Sequence, residues 1–442
     1  MLLVVMLLGM ATALLVYGMV DTNSLAARRD RDTAAAFAEV KRALIGWSVQ
    51  RTSGALPNAR PGELPCPDIN PLDGFEDGNC AAGALGRVPW KTLGIPEPKD
   101  GAGETLWYAI AGPFRIWGVN SNPINSDTKG NLTVNNGEFD VINGIYNVTS
   151  TITIEAVAVL FAPGASLGTQ NRDTAASALC PTTGTTIARN LCAANYLETA
   201  AGVNNSTTNG PFISAPTSYT PPPGFNDKVM VITTADLMPI VEQRVAREVR
   251  TILQNYKTAT AALGYNGGAG IYPWADCSNG TSDYPSAPPG PPYPDGSNRG
   301  RFPSFNAYPV NWGVSGTPTI PNWFSNQGAT NFNWGWVIYY SVGRNHLEGG
   351  GAPCGTCETV GSGSPPSDGS LSVNGAFGKE VVIIMTGPAG ASRPLDGLGS
   401  GICGTAQWSA YLEDGANNDL SDDRYVTPAS TTYARDRIYT IP

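Results

Sequence analysis

The chain has 442 residues, which is long enough for more than one domain with its own apolar core. Only 14% of the residues are charged, against about 25% in an average soluble protein. The net charge of −9 argues against a nucleic-acid partner, because such a protein needs a basic face. The 52 glycines and 36 prolines favour short strands, turns and ordered loops over a helical bundle.

Residues 1–20 contain no charged side chain, and twenty helical residues span about 30 Å, the thickness of a bilayer's hydrocarbon core. We therefore predict a transmembrane helix there. The alternative is a cleaved secretory signal, which would have a basic stretch before a shorter apolar core. Arg28, Arg29 and Arg31 follow the span, and the positive-inside rule alone would keep the rest of the chain cytoplasmic. Cysteine content and composition favour the opposite orientation, and we expect further residues ahead of Met1.

A second helical segment is predicted over residues 24–50, as a continuation of the membrane helix. Phe37, Val40, Leu44 and Trp47 recur at helical spacing and form one apolar stripe. Several alanines in the same segment add intrinsic helix propensity. The stripe is expected to lie on the domain that follows.

Eight cysteines match four disulfide bonds in a large exported domain. Two local bonds are predicted, Cys66–Cys80 and Cys180–Cys192, because each pair encloses a short loop that contains Gly or Asn. Four cysteines remain, and the sequence leaves their three pairings open: Cys277, Cys354, Cys357 and Cys403. The alternative is a metal or redox site at the Cys-Gly-Thr-Cys motif. Zinc would need a second ligand pair there, and a thioredoxin-like motif would need a βαβ pattern.

Six short motifs recur in the same order in the two halves of the chain. They are Val40–Trp47 with Val249–Tyr256, Leu64–Asp68 with Tyr272–Cys277, Gly86–Pro89 with Gly300–Pro303, Leu106–Gly112 with Val337–Gly343, Ala156–Gly164 with Val381–Pro388, and Asn195–Glu198 with Ala410–Glu413. Each match alone is weak, but six in one order indicate an internal duplication. We predict an α+β unit in residues 21–235 and again in 236–442, with antiparallel strands that pack on a leading helix.

These motifs resemble the type IV pilin-like family, which includes the pseudopilins of type II secretion and large minor pilins. The resemblance rests on the apolar run Leu2–Gly9 and on Leu64–Asp68, Gly86–Gly94 and Leu106–Ala109. It implies a long N-terminal membrane helix that continues into a domain with an antiparallel sheet, followed here by a second pilin-like domain. It also implies that the apolar helices of neighbouring subunits pack side by side, in the membrane and later in a filament.

Two features depart from the family pattern. No basic leader ending in Gly precedes the apolar run, and Met1 aligns where the family has a glutamate. The resemblance therefore implies a minor or tip subunit of a type IV pilus or type II secretion pseudopilus. Such a subunit is anchored in the inner membrane, has extracytoplasmic domains and binds other pilin or pseudopilin subunits. The alternative is a membrane-anchored adhesin or ligand-binding protein with the same fold that does not polymerise.

Two acidic loops are candidate calcium sites, because calcium binds six to eight oxygens from closely spaced carboxylates and amides. The first loop contains Asp68, Asn70, Asp73, Glu76 and Asp77. The second lies where some pseudopilins hold calcium, and it contains Glu413, Asp414, Asn417, Asn418, Asp419, Asp422 and Asp423. Neither loop has EF-hand spacing, so the alternative for each is a solvated acidic turn. No other cofactor is expected.

The sequence contains no recognisable catalytic constellation, and we predict that the protein is not an enzyme. The single histidine, His346, follows an apolar run and is expected to be an exposed loop residue. Residues 164–168 match the Gly-x-Ser-x-Gly pattern and residues 399–404 match the Gly-x-Gly-x-x-Gly pattern. Neither has both a predicted strand before it and a predicted helix after it, as a nucleophile elbow or a nucleotide-binding turn requires. An aromatic cluster could bind a glycan or another surface ligand, although such residues more often form a core: Trp312, Trp323, Phe324, Phe332, Trp334 and Trp336.

Overall fold

The computed structural model describes most of the first half of the chain and shorter parts of the second half. The described residues are 2–51, 60–78, 80–115, 124–182, 185–218, 224–273, 275, 298–302, 334–347, 369–388, 412, 417, 424–427 and 436–442. Side chains are described for these residues except 2–24, 177–182, 185–186, 301, 335 and 336.

The chain forms two compact units, each made of several segments. The first comprises Met1–Trp47, Leu64–Ile116 and Lys129–Thr233, and the second comprises Ser48–Glu63, Trp117–Thr128 and Thr234–Pro442. The division after residue 233 lies close to the predicted boundary at 235. Two segments that the sequence assigns to the first domain belong to the second unit, because their hydrogen bonds are there. For example, the Ser126 hydroxyl donates to the Thr386 carbonyl at 2.8 Å, and the Trp334 indole donates to the Pro61 carbonyl at 3.2 Å.

One helix, α1 (Leu2–Gln50), runs without interruption through 49 residues of the N-terminal segment. Its apolar stripe is buried in the first unit, where Phe37, Val40 and Leu44 are at most 5% exposed. Residues 25–32 of the same helix are exposed. The predicted contact between the stripe and a domain is therefore made by the C-terminal part of α1.

Among the described residues, no helix is both long enough and apolar enough to cross a bilayer. Residues 1–20, predicted as a transmembrane helix, lie outside the side chains that the structure describes.

The first unit is built on a six-stranded sheet, which is accompanied by two small strand pairs. The described strands of the whole unit are β1 (Leu85–Arg87), β2 (Trp107–Ile110), β3 (Leu132–Asp140), β4 (Ile145–Ala162), β5 (Ala176–Thr182), β6 (Thr185–Ala188), β7 (Thr199–Ala200), β8 (Val203–Asn204), β9 (Phe212–Ser214) and β10 (Lys228–Thr233). The sheet order is β1-β2-β4-β3-β9, and β10 also pairs with β4. All pairs are antiparallel except β3 with β9. β5–β6 and β7–β8 form two small separate pairs.

The main segment of the second unit begins with helix α2 (Thr234–Ala262), which packs on two strands of the unit's sheet. Its strands are β11 (Arg299–Arg301), β12 (Ile338–Val342), β13 (Leu371–Val373), β14 (Ala376–Lys379), β15 (Val381–Met385), β16 (Arg424–Tyr425) and β17 (Arg437–Ile441). The antiparallel order β11-β12-β15-β17 forms one sheet, and β14-β13-β16 forms another. The apolar stripe of α2 is buried along its whole length, as its helical spacing indicates.

The two units have the same strand order. Strands β1, β2, β4 and β10 are ordered as β11, β12, β15 and β17 are, and all the neighbours are antiparallel. Gly86 lies opposite Tyr108 in the first unit, and Gly300 lies opposite Tyr340 in the second. The sequence match paired Tyr108 with Tyr339, so it is wrong by one residue. A slip of one residue exchanges the two faces of a strand, and only the pairing register reveals it.

Three side-chain contacts also recur in the two units. They are Tyr108–Pro65 with Tyr340–Pro273, Lys228–Asp30 with Arg437–Glu242, and Asn205–Ile213 with Asn417–Val426. In the ion pairs the two bases begin matching strands, whereas the two acids differ in position by about one helical turn. In the third contact, one asparagine carboxamide accepts from a backbone N–H at 2.8 Å and donates to the carbonyl of the same residue at 3.0 Å, in both units. That residue lies in or directly after a strand, β9 or β16, that runs parallel to its neighbour.

Candidate interaction site

The disulfide loop (residues 66–80) is closed by a bond between Cys66 and Cys80. The structure thus contains the first of the two disulfides predicted from local spacing. Closure of a loop of this length stabilises the fold by about 3 kcal/mol, because it removes conformations from the unfolded chain. Next to the bond, the backbone N–H of Cys80 donates to the Cys66 sulfur at 3.1 Å.

Carboxylates of the disulfide loop accept hydrogen bonds from its backbone. Asp77 Oδ2 accepts from the N–H groups of Ile69 at 2.6 Å and of Asn70 at 2.9 Å. Asp73 Oδ1 accepts from the N–H of Phe75 at 3.0 Å. Among the described residues, no three His, Cys, Asp or Glu side chains are arranged to hold a metal ion. Calcium at the first acidic loop stays a prediction, and a solvated acidic turn stays its alternative.

Asp68 is the buried acid of this loop, with 2% of its surface exposed. Its Oδ2 accepts from the Gly74 N–H at 2.8 Å. Burial, together with the weaker effect of the charges of Asp73 and Asp77, raises the pKa of the Asp68 carboxyl to about 6, although the hydrogen bond from the Gly74 N–H opposes the shift. The site thus holds a carboxyl group whose charge changes between mildly acidic and neutral pH.

The tip of the disulfide loop presents apolar side chains to solvent. Phe75 is 51% exposed, and Ile69 and Leu72 are 38% and 36% exposed. Gly74 brings the loop backbone against Trp90, since a Cβ at this position would lie 2.6 Å from the indole ring. Its φ of +85° is also in the left-handed region that favours glycine. The apolar tip is therefore held in one conformation by the disulfide, the carboxylates and the indole.

An outward stripe lies on α1, on the side away from its buried residues. It consists of residues spaced by three and four positions, all of them exposed: Arg28, Arg31, Ala35, Ala38 and Arg42. Side chains at this spacing lie on one face of a helix. None of the three arginines forms an ion pair within the described part of the chain.

The β3–β4 hairpin forms an arm (residues 132–156) with an apolar end. Val141 and Ile142, at the turn, are 81% and 91% exposed. The turn is ordered by Asp140, whose Oδ1 accepts from the N–H groups of Ile142 at 2.9 Å and Asn143 at 3.1 Å. In the second unit, β13 and β14 form a shorter hairpin, in which two residues, Asn374 and Gly375, join the strands. The sheet order that the units share therefore does not require the long arm.

A buried pair of carboxyl groups lies elsewhere in the first unit. Asp227 Oδ2 accepts from the Glu198 N–H and from the Asn205 carboxamide, both at 2.9 Å. Burial raises the pKa of Asp227 well above its ordinary value, and the adjacent Glu198 carboxylate raises it further. This pair joins the start of β10 to the β7 region, and sequence spacing does not reveal it because the two acids are 29 residues apart.

His346 is half-buried in the second unit, whereas the sequence predicted an exposed residue. Its Nδ1 lies 3.8 Å from the carboxylate of Glu380. That carboxylate also accepts from Lys257 Nζ at 2.6 Å and from the Tyr272 hydroxyl at 2.7 Å. Burial lowers the pKa of His346, and the charge of Lys257 lowers it further while Glu380 opposes the shift. The cluster is an ion pair that links three distant segments of the unit, which sequence spacing does not reveal.

Comparisons with protein-family models, with curated proteins and with solved structures find no match.

The second acidic loop is represented among the described residues by Asn417 alone. It is buried, and its carboxamide forms the backbone contact with Val426 given above. The other six candidate ligands lie outside the described residues: Glu413, Asp414, Asn418, Asp419, Asp422 and Asp423. Calcium at this loop stays a prediction.

The remaining predicted residues are only partly described. Cys192 is disulfide-bonded, and the side chain of its predicted partner Cys180 lies outside the described side chains. Cys277, Cys354, Cys357 and Cys403 lie outside the described residues. Of the aromatic cluster, Trp334 is fully buried and belongs to the core, while the side chains of Trp312, Trp323, Phe324, Phe332 and Trp336 are not described.

Proposed function

We propose that the protein is a structural subunit of a pilin-like filament, a minor or tip subunit of a type IV pilus or type II secretion pseudopilus. The observation that supports this proposal best is that only the C-terminal part of α1 packs on its own unit. Its residues 33–48 contribute the buried face, while residues 25–32 are exposed and the helix continues to Leu2. A helix that is only half used by its own domain has a surface left for neighbouring subunits.

The shared strand order supports a duplicated pilin-like architecture in this proposal. The recurrent Tyr–Pro and Asn–backbone contacts involve residues that no turn or helix spacing requires. If the two units had arisen independently, the same side chains would have had to appear twice at corresponding places of the fold. A doubled unit adds bulk to one subunit, which suits a terminal position better than a repeating one.

The alternative function is a membrane-anchored adhesin or ligand-binding protein that does not polymerise. The arm favours this alternative, because two nearly fully exposed aliphatic residues at an ordered turn are typical of a contact surface. Both functions place the domains outside the cytoplasm and the N-terminal helix in the inner membrane.

The test is fractionation of the full chain expressed in the envelope of its own host. Shearing of the cells should release the chain in polymers that also contain other pilin-like subunits. A variant without residues 2–24 should be lost from both the polymers and the membrane. The Ile142→Asp variant is the matched control, since it alters the arm and leaves α1 intact. A full chain that stays in the membrane but never enters polymers would overturn the filament proposal and support the anchored adhesin.

A further inference from the structure

The carboxyls of Asp227 and Glu198 each accept the backbone N–H of the other residue. Asp227 Oδ2 accepts from the Glu198 N–H at 2.9 Å, and Glu198 Oε2 accepts from the Asp227 N–H at 3.1 Å. Both residues are at most 6% exposed. The reciprocal bonds hold two buried carboxyls close together, and two such groups resist simultaneous ionisation. No described group donates to Asp227 Oδ1, so a charge on this carboxyl would be poorly stabilised.

The groups around this carboxyl pair do not neutralise it. Glu198 Oε1 accepts from the neutral carboxamide of Gln170 at 2.8 Å. The described titratable and charged groups on the surrounding elements are Asp100, Glu104, Tyr146, Arg172, Tyr196 and Lys228. Of the two bases, Arg172 pairs with Glu104 and Lys228 pairs with Asp30. Among the described residues, no base forms an ion pair with Asp227 or Glu198.

Asn205 connects the carboxyl pair to strand β9. Its Nδ2 donates to Asp227 Oδ2 at 2.9 Å and to the Ile213 carbonyl at 3.0 Å, while its Oδ1 accepts from the Ile213 N–H at 2.8 Å. Ile213 is the middle residue of β9, and β9 pairs with β3 at Val134–Asn136. These β3 residues lie in the base of the arm (residues 132–137). One buried carboxamide therefore joins the carboxyl pair to the strand that holds the base of the arm.

Apolar contacts join the same segments. Ile213 lies against Gly137 of β3, where a Cβ would be 2.8 Å from Ile213 Cδ1. Ile213 and Phe225 belong to one buried cluster, and Tyr146 of the arm packs against it. The ring centroids of Phe225 and Tyr146 are 5.6 Å apart, and Phe225 lies two residues before Asp227. The arm is thus attached through residues that depend on the carboxyl pair for their position.

We propose that the protonation state of Asp227 and Glu198 determines how firmly β9 holds the base of the arm. With a proton on the pair, the reciprocal bonds and the Asn205 contacts persist. When both carboxyls are ionised, their repulsion weakens these bonds, and β9 separates more readily from β3. The arm is therefore held most firmly at acidic pH. This inference goes beyond the proposed function and applies to a filament subunit and an adhesin alike, since all of these residues belong to the first unit.

Linkage gives the direction of the pH dependence. Burial raises the pKa of Asp227 well above its ordinary value, and the Glu198 charge raises it further. Burial also raises the pKa of Glu198. Opening exposes both carboxyls to water and restores their ordinary pKa values. The stability of the closed state is thus fully present below about pH 4 and is lost as the pH rises through the raised pKa of Asp227. Within that range the opening equilibrium changes about tenfold for each pH unit.

The experiment is hydrogen exchange of the full chain, measured by mass spectrometry as protection factors at pH 4, 5, 6, 7 and 8. Protection of β9 and of residues 132–137 should fall at least about tenfold from pH 4 to pH 8. Strands β1 and β2 are the internal reference, and their protection should fall less. Equal losses in these strands would show that the pair stabilises the whole unit without controlling the arm, and would overturn the inference.

Two variants test the carboxyls themselves. Asp227→Asn keeps an oxygen for the Glu198 N–H but cannot ionise, so it should match the wild type at pH 4. At pH 8 its β9 protection should exceed that of the wild type at least about tenfold. Glu198→Gln removes the charge that raises the pKa of Asp227, so the loss of protection should level off at a lower pH than in the wild type. A merely structural role of Glu198 would not move that pH.

Asp68→Asn is the matched control, because it removes another buried carboxyl of the same unit. It should leave the pH dependence of β9 protection in place. The inference fails if Asp227→Asn has the same β9 protection as the wild type at pH 8, or if Glu198→Gln leaves the levelling pH unchanged. Neither result bears on polymer formation, so the filament proposal is tested separately by shearing.

Discussion

At the scale of single residues, Asp68 makes the stability of the folded protein depend on pH. Its carboxyl is almost completely buried, and its pKa is raised from 3.8 to about 6. The folded state therefore holds a proton that the unfolded chain releases at lower pH. By linkage, the stability contributed at this residue is fully present below about pH 4 and is lost as the pH rises to about 6.

The first prediction is that Asp68→Asn removes this pH dependence. Asparagine keeps an oxygen for the Gly74 N–H but has no charge to bury. The variant should match the wild type at pH 4 and be more stable at pH 7, by up to about 3 kcal/mol for a carboxyl whose pKa is raised from 3.8 to about 6 on folding. Urea unfolding at pH 4, 5, 6 and 7 measures the difference. Glu138→Gln, an exposed carboxylate on the arm, is the control, and an unchanged slope in Asp68→Asn would contradict the prediction.

The acidic composition of residues 68–77 is evident in the sequence, but the roles of the individual acids are not. Asp77 and Asp73 bond to the N–H groups of residues close to them in the chain. Burial of Asp68 depends on segments that follow Cys80. Spacing alone therefore left calcium and a solvated acidic turn as alternative interpretations of the same acids.

At the scale of elements, α1 is held in the first unit by its backbone as well as by its apolar stripe. The Gly101 N–H donates to the Thr33 hydroxyl at 2.9 Å. A Cβ at Gly101 would lie 2.2 Å from the carbonyl oxygen of Arg29. The loop around residue 101 thus contacts the helix backbone so closely that the hydrogen of a glycine fits there and a Cβ does not.

The second prediction compares two glycines that differ in this respect. Gly101→Ala should destabilise the first unit by about 1–3 kcal/mol, because the clash is with helix backbone that cannot move aside. Gly46→Ala, within α1, should stabilise it by about 0.5–1 kcal/mol, since no atom lies within 4 Å and alanine favours the helix. Urea unfolding together with hydrogen exchange of residues 33–48 reports both changes. Equal effects of the two substitutions would show that the close approach is unimportant.

The helices were the elements best predicted from sequence. The stripes of α1 and α2 are periodic within one helix, and helical periodicity is a local property. The strands were located only roughly, since β4 extends 11 residues ahead of the apolar run that indicated it. Its first part mixes aliphatic residues with threonines, is mostly exposed and pairs with β3, so its strand character depends on the partner.

At the scale of the whole molecule, each unit has one buried tyrosine at the same place in its sheet. Tyr108 and Tyr340 are fully buried, and their hydroxyls donate to the carbonyls of Pro65 and Pro273. Each hydroxyl fixes a proline-containing loop onto a central strand of its unit. The two loops are those that the sequence matched as Leu64–Asp68 and Tyr272–Cys277.

The third prediction is that the two tyrosines contribute equally. Tyr108→Phe and Tyr340→Phe should each lower stability by about 1 kcal/mol, because each leaves one buried carbonyl without its donor. Hydrogen exchange resolves the effect by unit, with protection reduced in β2 for the first variant and in β12 for the second. Tyr146→Phe is the control, since its bond to the Pro216 carbonyl is exposed and should matter less. If either variant had no effect on stability, the proposed equivalence of the two units would be contradicted.

The sequence by itself determined the two amphipathic helices, a strand near each of the main apolar runs, the acidic disulfide loop and the order of the repeated motifs. These depend on spacing and composition within short segments. Only the tertiary structure decided the register that matches Tyr108 with Tyr340, the transfer of segments 48–63 and 117–128 to the second unit, and the contacts of Glu198 with Asp227 and of His346 with Glu380. Those features join residues far apart in the chain. Their energies depend on burial and on partners brought together by folding, and local patterns carry no information about either.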